Sequence, residues 1–262
     1  MTEIGRIADD THVLSDLVPA DGRVSWVSAG LNGYEPYNQY LVVRDERALL
    51  IDTGVSLHGA SILGRLIPLV GNRHLVIYIS RIELDCIGNL ALLLDHFESV
   101  EVATANPIPA VDLVHRSTTS SVSVTHFGVD QTLAPVGFPQ MTVLDPVLRT
   151  LGTSWVFDCN ARTLFSTDSF CGDLLETSSE SVIRRSLDGA PDPPQLRRQT
   201  LAKFDWLARA ETDLLRARWD RLFAEVEPLA LAPIHGRPAA GQTVVASMLK
   251  RYRDAIFGSG LA

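Results

Sequence analysis

Apolar residues recur along this chain at two spacings, and the alternation between them predicts its elements. Short apolar runs bounded by Gly, Pro, Asn or Asp predict strands over residues 37–43, 48–51, 75–79, 100–105 and 229–234. Residues 154–158 and 163–168 read as a hairpin around the polar turn 159–162. Residues 141–148 read as a strand interrupted at Asp145-Pro146 that delivers Arg149. The stretch 11–28, with its β-type run 24–27, has the punctuation of a meander, and 117–125 alternates like an exposed strand or hairpin. Helical spacing predicts a helix over 61–70 broken near Pro68 and another over 88–97 packed through Leu90, Leu93 and Leu94. Two more helices turn inward Leu201, Phe204 and Leu207, then Leu215, Trp219, Leu222 and Val226. Before them, Pro191-Asp192-Pro193-Pro194 predicts a loop that forbids helix. Strands interleaved with helices predict an α/β domain.

The buried strand 75–79 runs into Ser80-Arg81-Ile82-Glu83-Leu84-Asp85-Cys86-Ile87-Gly88, where polar side chains alternate. Strand ends are where α/β folds place their sites. This stretch resembles the His-x-His-x-Asp-His-x-Gly signature of the metallo-β-lactamase superfamily, rewritten as Arg81-x-Glu83-x-Asp85-Cys86-x-Gly88. Glu83 matches the branch of flavodiiron and oxygen-binding diiron (ODP) proteins, which carry Glu where other members carry the second His. Three further segments are similar to that branch, in the same order: Tyr37-Asn38-Gln39-Tyr40-Leu41, then Leu164-Phe165-Ser166-Thr167-Asp168-Ser169-Phe170, then Pro233-Ile234-His235-Gly236. Asp52-Thr53-Gly54 matches the superfamily's Asp-Thr-Gly turn, which braces the site there. The resemblance implies a four-layer αββα sandwich with the site at one edge between two sheets. Length and an apolar fraction of 46% suit a single domain over residues 1–262, and no flavodoxin module carrying FMN is expected in it.

In the family, one iron takes the first His, the Glu and a mid-chain His. The other takes the Asp, the neighbouring His and the final His, and a second Asp bridges the two. Carried over, the first set becomes Arg81, Glu83 and Arg149, and the second becomes Asp85, Cys86 and His235, with Asp168 as the bridge. The resemblance therefore implies Glu83, Asp85, Cys86, Asp168 and His235 as metal ligands, Asp85 and His235 as catalytic residues, and Arg81 and Arg149 as substituted ligand positions. Arginine offers no lone pair and stays protonated. At ~4 Å and an effective dielectric of about 20, its charge opposes a dication by on the order of 8 kcal/mol. The expected arrangement is a metal-free cluster in which Arg81 and Arg149 pair with Glu83, Asp85 and Asp168. The alternative is one zinc or iron ion on Asp85, Cys86, Asp168 and His235, although a cysteine reaches less far than the histidine it replaces.

Composition narrows the setting. A net charge of −8 argues against a nucleic-acid surface, no stretch has the length of a membrane helix, and three cysteines suit a reducing, cytoplasmic compartment. His12, His58, His74, His96, His115 and His126 lie outside the matched segments, and Cys159 and Cys171 read as buried small residues. Two functions from different classes follow: a non-catalytic binding, sensing or partner module, and a mononuclear metal hydrolase or oxidoreductase dependent on an external electron donor. A third uses the arginines as an anion clamp with His235 as acid or base. The family likeness implies a homodimer.

Overall fold

A strand pairing that changes direction once organises the first sheet. The computed structural model describes residues 2–22, 24, 27, 30–106, 122–148 and 152–258. Within it β1 (Thr2–Ala8), β2 (Thr11–Pro19), β3 (Tyr34–Arg44) and β4 (Arg47–Ile51) form an antiparallel meander. From β4 onward, β5 (His74–Ile79), β6 (Val100–Thr104) and β7 (Ser123–His126) pair in parallel. Parallel neighbours need crossovers. Helix α1 (Gly59–Val70) supplies the first, and α2 (Leu84–Ile87) with α3 (Leu90–His96) the second.

The second sheet has the order β13-β12-β11-β10-β9-β8. Its strands are β8 (Thr132–Leu133), β9 (Phe138–Leu144), β10 (Trp155–Asp158), β11 (Thr163–Thr167), β12 (Ala230–Pro233) and β13 (Ala239–Ala240). Helices α4 (Pro193–Lys203), α5 (Asp213–Glu225) and α6 (Gln242–Phe257) cover it.

Period-two alternation sends successive side chains to opposite faces of each sheet. Tyr40, Val42, Leu49 and Ile51 meet Met141, Val143, Val156 and Phe165 between the sheets. The intervening Leu41 and Leu50 join Ile62, Leu66, Leu90 and Leu93 beneath α1 and α3. On the far side, Trp155, Leu164 and Leu231 pack under Leu196, Trp219, Val245 and Met248 of α4, α5 and α6. The result is a four-layer αββα sandwich, as the resemblance implied.

Several local expectations change. Helix α1 runs through Pro68 to Val70; Pro68 has no N–H for the Gly64 carbonyl, and Gly64 is an exposed residue. The helix expected over 88–97 starts earlier and in two pieces, since Asn89 donates from Nδ2 to the Thr53 (2.8 Å) and Val55 (2.9 Å) carbonyls. The proline-rich stretch opens α4 instead of forbidding a helix: Pro193 and Pro194 fill the first turn, where no N–H is needed, and Asp192 Oδ1 accepts from Gln195 N at 2.8 Å. Helix α4 ends at Lys203, so Phe204 and Leu207 are buried from a following 3-10 turn. Cys159 is exposed in the β10–β11 turn, not buried. The long helix α6 was not expected from the pattern. Arg149, residues 117–121, Arg23, Ser25, Trp26 and His115 lie outside the described residues.

Candidate functional site

Two parallel strand pairs, β4–β5 and β11–β12, end at the same edge of the sandwich. Arg81 therefore follows β5, Asp168 follows β11 and His235 follows β12. The matched segments explain how the edge is held. Asn38 on β3 donates from Nδ2 to the carbonyls of Pro233 (2.9 Å) and Gly236 (2.8 Å), bracketing His235, while Tyr40 donates to Pro233 O at 2.6 Å. Asp52 accepts from Ser80 N at 2.9 Å and Ser80 Oγ at 2.6 Å, which fixes the exit of β5. Thr53 Oγ1 donates to Cys86 O at 2.9 Å. Gly88 passes so close to the 54–56 turn that a Cβ there would lie 2.7 Å from Gly54 O and 2.8 Å from Ser56 N. Backbone strain concentrates here as well: Asp52 (φ 59°) and the β-branched Thr167 (φ 53°) both lie in the left-handed region.

The side chains these elements deliver form a buried ion cluster. The Arg81 guanidinium, 1% exposed, reaches Asp85 Oδ2 with Nη2 at 2.5 Å and Asp168 Oδ2 with Nη1. On the other oxygen of Asp168, Lys203 Nζ lies 2.7 Å away. His235 Nε2 lies 2.8 Å from Asp85 Oδ2 and 3.9 Å from Asp168 Oδ1. Glu83 stays at the rim, 53% exposed and 3.7 Å from Arg81. Cys86 turns away: its sulfur faces Ser80 Oγ at 3.9 Å, and it is absent from the ligand-forming group among the described residues.

Charge placement follows from burial and these partners. Burial opposes ionisation of Asp85, but the His235 hydrogen bond and the Arg81 charge hold its carboxyl well below the usual range. Burial lowers the pKa of His235 against the pull of Asp85. Burial also pushes the Cys86 thiol far up. Asp52 is raised to about 7, chiefly by burial.

Asp85, Asp168 and His235 offer ligand atoms that all lie within 4.8 Å of one another. That is a metal-competent donor set, yet Arg81 and Lys203 already engage its carboxylates. A dication at this donor set would meet the positive charges of Arg81 and Lys203. Of the two arginines of the expected anion clamp, Arg81 pairs with the protein's own carboxylates, and Arg149 lies outside the described residues. Two members of the cluster were missed in the sequence. Lys203, one of only two lysines in the chain, comes from α4, and Glu35, a buried acid whose charge acts on both Lys203 and His235, comes from β3.

No protein-family model matches the chain, and no curated protein matches it. Solved structures do. The rubredoxin:oxygen oxidoreductase of Desulfovibrio gigas is 21% identical, covers 96% of this chain and superposes with a TM-score of 0.67. A metal-soaked flavodiiron core from Synechocystis is 16% identical over 98% of this chain, with a TM-score of 0.72. The fold is that of flavodiiron and metallo-β-lactamase proteins. A metallo-β-lactamase from Pontibacter korlensis extends the likeness, at 17% identity over 99% of this chain and all of that one, with a TM-score of 0.60. The chain spans 61% of each of the first two structures' own length. On this metallo-β-lactamase-like fold, the described residues include no helix long and apolar enough to cross a membrane.

Proposed function

We propose that this chain is a non-catalytic binding module, a flavodiiron-like scaffold in which a buried ion cluster stands in place of the diiron centre. The observation that carries this reading is the Arg81 guanidinium inserted between Asp85 and Asp168 with 1% of its surface exposed. A place for a ligand adjoins it. A cavity of about 390 Å³, lined largely by Leu17, Val18, Pro19, Val55 and Leu57, shares Tyr37 with the cluster, and that ring meets His235 edge-on at 4.6 Å between centroids. Its size and apolar walls suit a small apolar molecule. Metal content of protein purified without chelators tests the main reading: substoichiometric zinc and iron are expected, and near-stoichiometric metal overturns it. Titration with indole, followed in amide NMR spectra, tests the cavity through shifts confined to Tyr37, Val55 and His58.

A second reading rests on the same three ligand atoms. Asp85, Asp168 and His235 would hold one zinc or iron ion, as in a hydrolase or oxidoreductase, once Arg81 and Lys203 withdrew. The metal measurement separates the two. We further propose a cytoplasmic homodimer that binds neither nucleic acid nor membrane, with a protein or small-anion partner as the other interaction. A sedimentation mass of 28.6 kDa at micromolar concentration counts against the dimer.

A further inference from the structure

The two oxygens of Asp168 face two different cations from distant parts of the chain: Arg81 from the end of β5 and Lys203 from the end of α4. Lys203 is no surface residue caught by chance. Its side chain is 8% exposed, and α4 brings it under the second sheet through buried Leu196, with buried Phe204 directly after it. A long flexible amine is buried this deeply only when its charge is met. Asp168 meets it at 2.7 Å. Burial and the neighbouring Arg81 charge lower its pKa from the ordinary lysine range, against the pull of Asp85 and Glu35.

We infer that Lys203 is the second of two built-in cations, so that Asp168 still bridges two positive centres, now both covalently part of the chain. This deepens the metal-free reading and rests on it. Lys203 is a positioning residue in this scheme. It neutralises the half of the bridge that Arg81 leaves open, and it ties α4 to the edge where β11 and β12 end. It also guards the ligand set: with Arg81 gone, Asp168 would still have an ammonium 2.7 Å from one of its oxygens, which repels a dication.

Two measurements test this. The chain holds only two lysines, and Lys250 has a side chain 75% exposed, so lysine-selective NMR of the intact protein gives one buried and one exposed reference signal. The Lys203 ammonium is expected to exchange slowly with water and to shift strongly on Asp168→Asn, while Lys250 does not move. A Lys203 signal that exchanges like Lys250 and ignores Asp168→Asn overturns the inference, whatever the metal content of the wild type. Near-stoichiometric metal in the wild type instead overturns the metal-free reading itself. The second measurement is cobalt affinity of Arg81→His against Arg81→His with Lys203→Met. The introduced imidazole joins Asp85, Asp168 and His235, and removing the ammonium is expected to tighten binding ~100-fold or more. Equal affinities would show that Lys203 does not occupy the site. If the double variant fails to fold, the NMR result on Asp168→Asn decides alone.

Discussion

Lys203 Nζ lies 2.7 Å from Asp168 Oδ1, while the second oxygen of that carboxylate meets Arg81. One buried acid thus joins the last residue of α4 to the end of β5, and the electrostatics of this edge depend on it.

Arg81→Ala leaves Asp85 and Asp168 buried beside one fewer cation. Breaking a buried ion pair from one side typically costs ~3 to 5 kcal/mol. Urea unfolding near neutral pH should show a loss of that order. An unchanged midpoint in the single variant contradicts the burial of Arg81.

Asp52 imposes a pH dependence of its own. Its carboxyl is raised from 3.8 to about 7, mainly by burial. The folded state therefore holds its proton more tightly than the unfolded state. The associated stability is complete below pH ~4 and is lost as pH rises through ~7. Asp52→Asn keeps polar contact with Ser80 without the charge, so it should match the wild type near pH 4 and exceed it at pH 8 by a few kcal/mol at most. Parallel stability curves for the two proteins from pH 4 to 8 would refute this.

Gly88→Ala should be costly despite an ordinary helical φ. The added Cβ would lie 2.5 Å from Leu84 O and 2.7 Å from Gly54 O, and backbone atoms cannot swing aside. Overpacking of this kind costs ~1 to 3 kcal/mol, and because the turn also positions Cys86 and Asn89, thermal unfolding should drop clearly. A melting temperature equal to wild type would mean that α2 sits further from the 54–56 turn.

Asp192→Ala removes the side-chain cap of α4, the helix that carries Lys203. The loss expected is about 1 kcal/mol, and Asp192→Asn should restore most of it, since the amide oxygen accepts from Gln195 N equally well. Equal stability of all three proteins would show the cap to be idle.

Much of this architecture is encoded locally. Inward and outward alternation in residues 37–43 and 48–51 sorts Tyr40 and Leu49 to one face and Leu41 and Leu50 to the other, because pleating obeys a period that neighbours alone impose. The spacing Arg81-x-Glu83-x-Asp85 and the segments around Asn38, Asp168 and His235 also carry enough information to place four of the cluster's members, Arg81, Asp85, Asp168 and His235. What the pattern does not contain is the company each side chain keeps. Pro193 reads as a helix breaker until Asp192 is seen capping the turn that Pro193 begins. Cys86 sits in a ligand position by spacing, yet the short helix α2 points its sulfur at Ser80. Lys203 has no neighbour in sequence that marks it, and its role appears only when α4 packs on the second sheet and brings the ammonium to Asp168. Periodicity is set by the backbone within a few residues, whereas burial and charge pairing are set by elements that meet only in the folded chain.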